Sequence, residues 1–137
     1  MGWDIGFEDF LSDLGGIRND IILTGYVSNE VLSCLYRDAI AFAYISFYEG
    51  FGLPILEAMS FGKAVICSDQ SSMPEVGGDA VEYCNPYDIE SIMNAMESII
   101  DNDNYRKCLE GRAVVQANKF SYKRTAEEIL RIYDQFL

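Results

Sequence analysis

The sequence predicts an α/β domain built on a parallel sheet with helical crossovers. Three observations predict it. Apolar runs of strand length, such as Ala41-Phe-Ala-Tyr-Ile45 and Ala64-Val-Ile-Cys67, alternate with segments whose apolar residues recur at helical spacing. These runs are apolar throughout, which suits strands covered on both faces. The run ending at Ile45 leads through Gly50-Phe-Gly52 to Pro54, the punctuation of a strand turning into a helix.

Element by element, Phe7 to Leu14 reads as a short helix with Phe7, Phe10, Leu11 and Leu14 on one face, ended by Gly15-Gly16. Residues 20–24 form the first predicted strand, closed by Gly25. Ser28 or Asn29 caps a helix that shows Val31, Leu32, Leu35 and Tyr36 on one side. Residues 40–45 are the second strand, and Pro54 to Phe61 the helix after the turn, stopped by Gly62. A third strand at 64–68 runs into the polar loop Ser68 to Gly78, with one helical turn at Pro74-Glu75-Val76, and a fourth strand follows at 80–83. The remainder is helical. Ile89, Ile92, Met93, Met96, Ile99 and Ile100 follow helical spacing, then Tyr105 to Ala117, then Lys123 to Phe136 with Ser121 as cap. In the last helix Ala126, Ile129, Leu130, Tyr133 and Phe136 are expected to form a buried stripe. No repeat, low-complexity segment or linker interrupts the chain, so residues 1–137 read as one domain.

Composition narrows the function. Half the residues are hydrophobic, which opposes disorder, and 137 residues suffice for one core. The net charge of −12 argues against nucleic acid and against docking on anionic lipid. No apolar run is long enough to span a membrane, and the start Met1-Gly-Trp-Asp is neither basic nor apolar enough for a signal peptide. Cys34, Cys67, Cys84 and Cys108 lack metal-like spacing, and there is no histidine, so the reading is reduced, buried thiols in the cytoplasm and no zinc.

The chemistry concentrates in Glu49-Gly-Phe-Gly-Leu-Pro-Ile-Leu-Glu57. Two carboxylates stand eight positions apart astride a turn whose glycines let backbone approach a ligand. Glu49 lies at the carboxyl end of a predicted strand. Glu57 lies in or just after the first turn of the following helix, where free N–H groups favour phosphate or sugar oxygens. The same features also have a plain structural use: an acid near a helix start complements its dipole, and a glycine turn is tight geometry.

The run YEGFGLPILEAMSFGKAVICSDQSSMPEVGGDA resembles the signature of retaining, metal-independent nucleotide-sugar glycosyltransferases with two Rossmann-like domains. Glu49 and Glu57 match the two acids of that family's Glu-x7-Glu motif, and the likeness runs from Gly2-Trp3 to the C-terminal helix. The resemblance implies a partial C-terminal, donor-binding domain with a Rossmann-like sheet shortened at its N-terminal side and C-terminal helices packed on the sheet. It implies Glu49 as the catalytic-site acid on the donor sugar and Glu57 as acceptor of hydrogen bonds from the ribose hydroxyls. Gly50, Phe51, Gly52 and Leu53 would face the sugar or its diphosphate, and Tyr26 and Val27 would line the base. Tyr26 could equally be rim packing and Leu53 core. The loop Ser71 to Gly78 would shape the pocket edge, with Glu75 structural. No metal or other cofactor is implied; the nucleotide sugar is the substrate.

Departures from the family pattern matter too. Its donor domain carries two earlier strand–helix units with a glycine-rich turn and an Arg and Lys pair that neutralise the diphosphate, and an N-terminal domain that binds the acceptor. Arg18, Lys63 and Lys123 do not match those basic positions. The implied whole enzyme works in the cytoplasm, at the inner membrane face, in polysaccharide assembly, while this chain by itself is expected to be inactive. The family's sheet order 3-2-1-4-5-6 would leave two strands missing between residues 20–24 and 40–45. The expected repairs are strand relocation or a homodimer. A non-catalytic nucleotide- or partner-binding module is the alternative, and a receiver-like or flavodoxin-like protein is a weaker rival that gives the Glu-Gly-Phe-Gly-Leu-Pro run no role.

Overall fold

The computed structural model describes residues 7–136. Strands β1 (Ala41–Tyr44), β2 (Ala64–Ser68) and β3 (Glu82–Cys84) form a parallel sheet in the order β1-β2-β3. Ala41 stands opposite Ala64 and Ser68 opposite Cys84. Around the sheet run α1 (Phe7–Asp13), a 3₁₀ stretch (Gly15–Asp20), α2 (Asn29–Asp38), α3 (Leu53–Ser60), α4 (Met73–Gly77), α5 (Ile89–Ile100), α6 (Asp103–Ala117) and α7 (Tyr122–Tyr133). The Gly2-Trp3 match lies outside the described residues.

The central strand β2 is buried along its whole length. Successive side chains of a strand point to opposite faces, and the core divides accordingly. Val65 and Cys67 join Ile55, Ala58 and Met59 of α3, Met73 and Val76 of α4 and Ala113 of α6. Ala64 and Ile66 join Ala95 and Ile99 of α5 and Leu109 of α6. Caps fall where the sequence placed them: Ser28 accepts from the Val31 N–H and Ser121 from the Arg124 N–H.

Four expectations need correction. Residues 20–24 are not a strand. The 3₁₀ stretch runs to Asp20, and Ile21 is extended, but Ile22 and Leu23 are exposed and no ladder forms. The sheet among the described residues has three strands, and neither relocation beside β1 nor any other pairing occurs. The physical reason is that a strand exists through its ladder, and β1 is bonded to β2 alone. The stripe on α7 is also not buried. Ile129, Leu130, Tyr133 and Phe136 are all exposed, so α5 and α6 pack on the sheet and α7 does not. Its periodicity specifies an apolar face without supplying a surface to cover it. Finally, only Cys67 and Cys84 are buried; Cys34 and Cys108 are exposed. The last strand is shifted to Glu82–Cys84, because Ala80 and Val81 are buried in the turn after α4.

This division of roles is testable. Ile55 is fully buried, so Ile55→Ala should cost about 2–5 kcal/mol in urea denaturation. Ile129→Ala, on the uncovered stripe, should stay within about 0.5 kcal/mol when measured at dilution where the chain is monomeric.

Candidate functional site

The site grows from the carboxyl end of β1. Past Tyr44 the chain leaves the sheet, and the Ser46 N–H donates to Oγ of buried Ser68 at 2.9 Å. This bond anchors the exit of β1 to the end of β2. The chain then turns through Gly52, at φ 101° and ψ 44°, which serves as N-cap of α3 without any side-chain cap. A residue with a Cβ is strained at that φ, and the Cβ would also lie 3.2 Å from Ile55 Cδ1. Pro54 stands in the first turn, so the uncapped helix start presents one N–H fewer than usual.

The loop before and through α4 holds this turn from behind. The Ser71 hydroxyl donates to the Glu49 carbonyl at 2.6 Å, and the Ser72 hydroxyl lies 3.0 Å from both the Glu49 and the Phe51 carbonyls. Each hydroxyl has one proton. With Ser71 serving Glu49, Ser72 is free to serve Phe51. Ser71 makes its contact from φ 57°, an uncommon conformation for a residue other than glycine. The far side of the loop is pinned as well. Buried Gln116 of α6 donates to the Val76 carbonyl at 3.0 Å, and the Tyr83 hydroxyl donates to the Gly78 carbonyl at 2.9 Å. A Cβ on Gly77 would sit 2.5 Å from Val81 Cγ2, so only glycine fits there. The run Ser71 to Gly78 is thus a clamp on the turn. Glu75 is exposed and faces the cleft described next.

The two carboxylates lie on either side of the turn, each beside a tyrosine. Tyr36 of α2 donates to Glu57 Oε2 at 3.1 Å. Its ring is buried, edge-on to Phe42 and stacked on Phe61. Burial, then the hydrogen bond to Glu57, pushes the Tyr36 phenol up to about 12. Tyr44 is likewise pushed up, by burial first and then by the nearby Glu49 carboxylate. Glu57 sits in the second turn of α3, one residue beyond the first four, and is exposed.

Beside α3 opens a cleft of about 630 Å³, lined among others by Phe51, Leu53, Glu57, Glu75, Phe120 and Tyr122. Phe51 and Phe120 meet edge to face across it, with centroids 6.0 Å apart. Three acids, Glu57, Glu75 and Glu128, and no Lys or Arg line it.

Of the residues singled out by sequence, Glu49, Gly50, Phe51, Gly52, Leu53 and Glu57 fall on one continuous turn and helix start, and Phe51, Leu53 and Glu57 share the cleft. Leu53 is half exposed rather than core. Tyr26 and Val27 lie in the segment before α2, outside the cleft lining, with Tyr26 fully exposed. Sequence reasoning passed over Tyr36, Tyr44, Ser71 and Ser72 as partners of the turn. For Tyr36 a signal existed: a side chain with a polar tip in an otherwise apolar helical stripe must aim that tip at something.

Comparison with known proteins follows the same outline. The family model described as "Glycosyl transferases group 1" matches residues 8–114. The "O-antigen chain mannosyltransferase B" of Escherichia coli is 39% identical over 132 residues, covering 96% of this chain and 35% of that protein. The "Serotype-specific mannosyltransferase WbdA" of Escherichia coli is 35% identical over 120 residues, covering 88% of this chain and 15% of that protein. The solved sucrose-phosphate synthase of Thermosynechococcus elongatus superposes with a TM-score of 0.79 at 22% identity, over 96% of this chain and 33% of that one, which shows a shared fold. The chain spans about a third or less of the length of these proteins.

The tyrosines give a pH signature. Tyr36, Tyr83 and Tyr105 are each raised to about 12, Tyr36 and Tyr83 chiefly by burial and Tyr105 chiefly by its bond to Glu82. Unfolded tyrosine titrates near ~10. Between those values the native state binds more protons than the unfolded state, so stability is intact below pH ~10 and falls as pH rises toward 12. Urea midpoints measured from pH 9 to 12 should decline over that window, and Tyr36→Phe should remove part of the decline.

Proposed function

The chain belongs to the group 1 glycosyl transferases, and on that premise we propose that it forms the donor-binding side of a retaining hexosyltransferase. The enzyme would move a sugar from a nucleoside-diphosphate donor to a sugar or lipid-linked acceptor. The observation that carries this reading is the turn at the end of β1, where Glu49 and Glu57 flank the uncapped start of α3. Ligands of open α/β sheets bind beyond the carboxyl ends of the strands. In the proposed roles Glu57 accepts from the ribose hydroxyls, Glu49 contacts the donor sugar, and the backbone from Gly50 to Leu53 faces the sugar or the diphosphate. Tyr26 and Val27 would meet the base.

Retention follows in this reading from attack on the face the diphosphate leaves. The bond from the sugar's anomeric carbon to the diphosphate oxygen breaks, a bond to the acceptor oxygen forms on that side, and the acceptor's proton passes to the departing phosphate. The motif asks for no metal. The relatives named for O-antigen and serotype-specific mannosyl transfer support a place in surface polysaccharide assembly; in this reading the enzyme works in the cytoplasm, at the inner membrane face. No helix among the described residues is long and apolar enough to cross a membrane.

Developing charge on a departing diphosphate needs fixed positive groups, usually the largest contribution to such catalysis. The cleft offers three acids and no base. The chain alone should therefore bind nucleoside diphosphates only at about millimolar level, equivalent to ~4 kcal/mol, and should not turn over a panel of nucleotide sugars. The acceptor domain and the basic pair are assigned in this reading to the remainder of a longer enzyme. Amide shifts on titrating ADP, GDP and UDP should centre on Glu49, Gly50 to Leu53 and Glu57, and Glu57→Ala should abolish the ribose-dependent part. Shifts confined to another surface would overturn the site. Turnover by the chain at an ordinary enzyme rate would overturn its assignment as donor side only.

We also propose that two copies associate when the chain is alone. The unpaired edge of β1 and the exposed Ile22, Leu23, Ile129 and Leu130 supply apolar and hydrogen-bonding surface for it. Sedimentation at several concentrations should reveal a dimer; a strict monomer at high concentration would refute it.

A further inference from the structure

We propose that Tyr36 is a positioning residue for nucleotide binding, its phenol fixing one oxygen of the Glu57 carboxylate so that the other is presented to the ribose diol. The inference rests on the reading of Glu57 as the ribose acceptor. It concerns how a carboxylate on an exposed helix face is held in place for that task.

Glu57 needs such a device. Its side chain is exposed, and no Lys or Arg pairs with it among the described residues. A free glutamate on a helix samples many rotamers, and ordering it at the moment of binding weakens affinity; ordering it beforehand removes that cost. Tyr36 comes from another helix, 21 residues earlier, and reaches Oε2 at 3.1 Å. Its own position is fixed by the core. The ring is 7% exposed, with Phe42 of β1 edge-on at 5.2 Å and Phe61, just past the end of α3, stacked at 5.7 Å between centroids. The bond therefore ties Glu57 to the packing of α2 against β1 and α3.

The chemistry of the pair fits the role. A carboxylate has two oxygens and about four acceptor sites, so one phenol leaves Oε1 and part of Oε2 for a vicinal diol. A phenol that stays protonated at neutral pH is a permanent donor. It cannot become a second anion beside a cleft that is already acidic.

Packing alone could also explain a buried tyrosine, so the test must separate packing from orientation. ADP, GDP and UDP are titrated by NMR against the wild-type chain, and the tightest is compared with its 2′,3′-dideoxy analogue. Wild type should favour the nucleotide bearing the diol. Tyr36→Phe keeps the ring and its stacking and loses only the donor. It should weaken the diol-bearing nucleotide about five- to tenfold, the size of one typical net hydrogen bond, since the carboxylate itself remains and only its ordering is lost, and leave the dideoxy analogue within about twofold. Equal weakening of both nucleotides, or no weakening of either, overturns the inference. If wild type itself binds both alike or binds neither, the ribose role of Glu57 fails first and the inference falls with it. Should Tyr36→Phe not fold, 3-fluorotyrosine at position 36 gives a second readout. Its ¹⁹F signal should move with the diol-bearing nucleotide and not with the dideoxy analogue, and a signal that responds to neither overturns the inference.

Discussion

The structure depends on β2 being buried on both faces and paired on both edges. Each residue from Ala64 to Ser68 is essentially inaccessible, and β1 and β3 bond to it from either side. Removing that many backbone groups from water is tolerable only because the parallel ladder satisfies them. The last residue of the strand carries the consequence outward. Ser68 has a buried hydroxyl that the Ser46 N–H uses as an acceptor, so the place where β1 departs for the site is set by the end of β2. A serine there supplies an acceptor without bulk; an apolar residue of the same size would leave the Ser46 N–H without this partner.

From that anchor the site is assembled by backbone more than by side chains. The turn through Gly52 is gripped by the Ser71 and Ser72 hydroxyls on its carbonyls, and those serines are gripped in turn by the α4 loop, pinned through Gln116 and Tyr83. The result is a strand-to-helix passage with little freedom, carrying Glu49 before it and Glu57 after it. Flexible carboxylates on a rigid backbone still require orientation, and the two tyrosines stand where that orientation could come from. Tyr36 donates to the motif acid Glu57, and Tyr44 lies close enough to the other, Glu49, for that carboxylate to raise its phenol. Both lie on elements that pack beside the turn, α2 and β1.

Legibility in the sequence followed the range of the interactions. The helices from α2 to α6, the strands β1 and β2 and the caps Ser28 and Ser121 are specified by residues within one or two turns of each other, and all could be read. The Glu-x7-Glu turn was readable for the same reason, since glycine, proline and acid spacing is local. What could not be read depends on distant partners. Residues 21–24 have strand composition, but a ladder needs a neighbour that composition does not disclose. The α7 stripe announces a face to be covered without saying by what. Tyr36 meeting Glu57, and Ser71 meeting the Glu49 carbonyl, are encounters across 21 and 22 residues that only the packed fold brings about.

The uncovered surfaces and the acidic cleft point the same way. A site for a diphosphate sugar that carries Glu57, Glu75 and Glu128 and no cation repels what it is proposed to bind, unless positive charge arrives from elsewhere. Among the described residues, the β1 edge, the run at 21–24 and the α7 stripe leave apolar surface uncovered as well. Relatives about three times as long or longer have additional chain with which to meet both needs. Charge and burial then have different consequences. Apolar surface can be covered by many partners, including a second copy, because the hydrophobic effect is non-directional. Positive charge at the diphosphate must be placed to within hydrogen-bond distance of one leaving group. A copy of this chain, itself at net charge −12, can satisfy the first need and is poorly suited to the second. Self-association would therefore repair the fold of the isolated chain without restoring its chemistry.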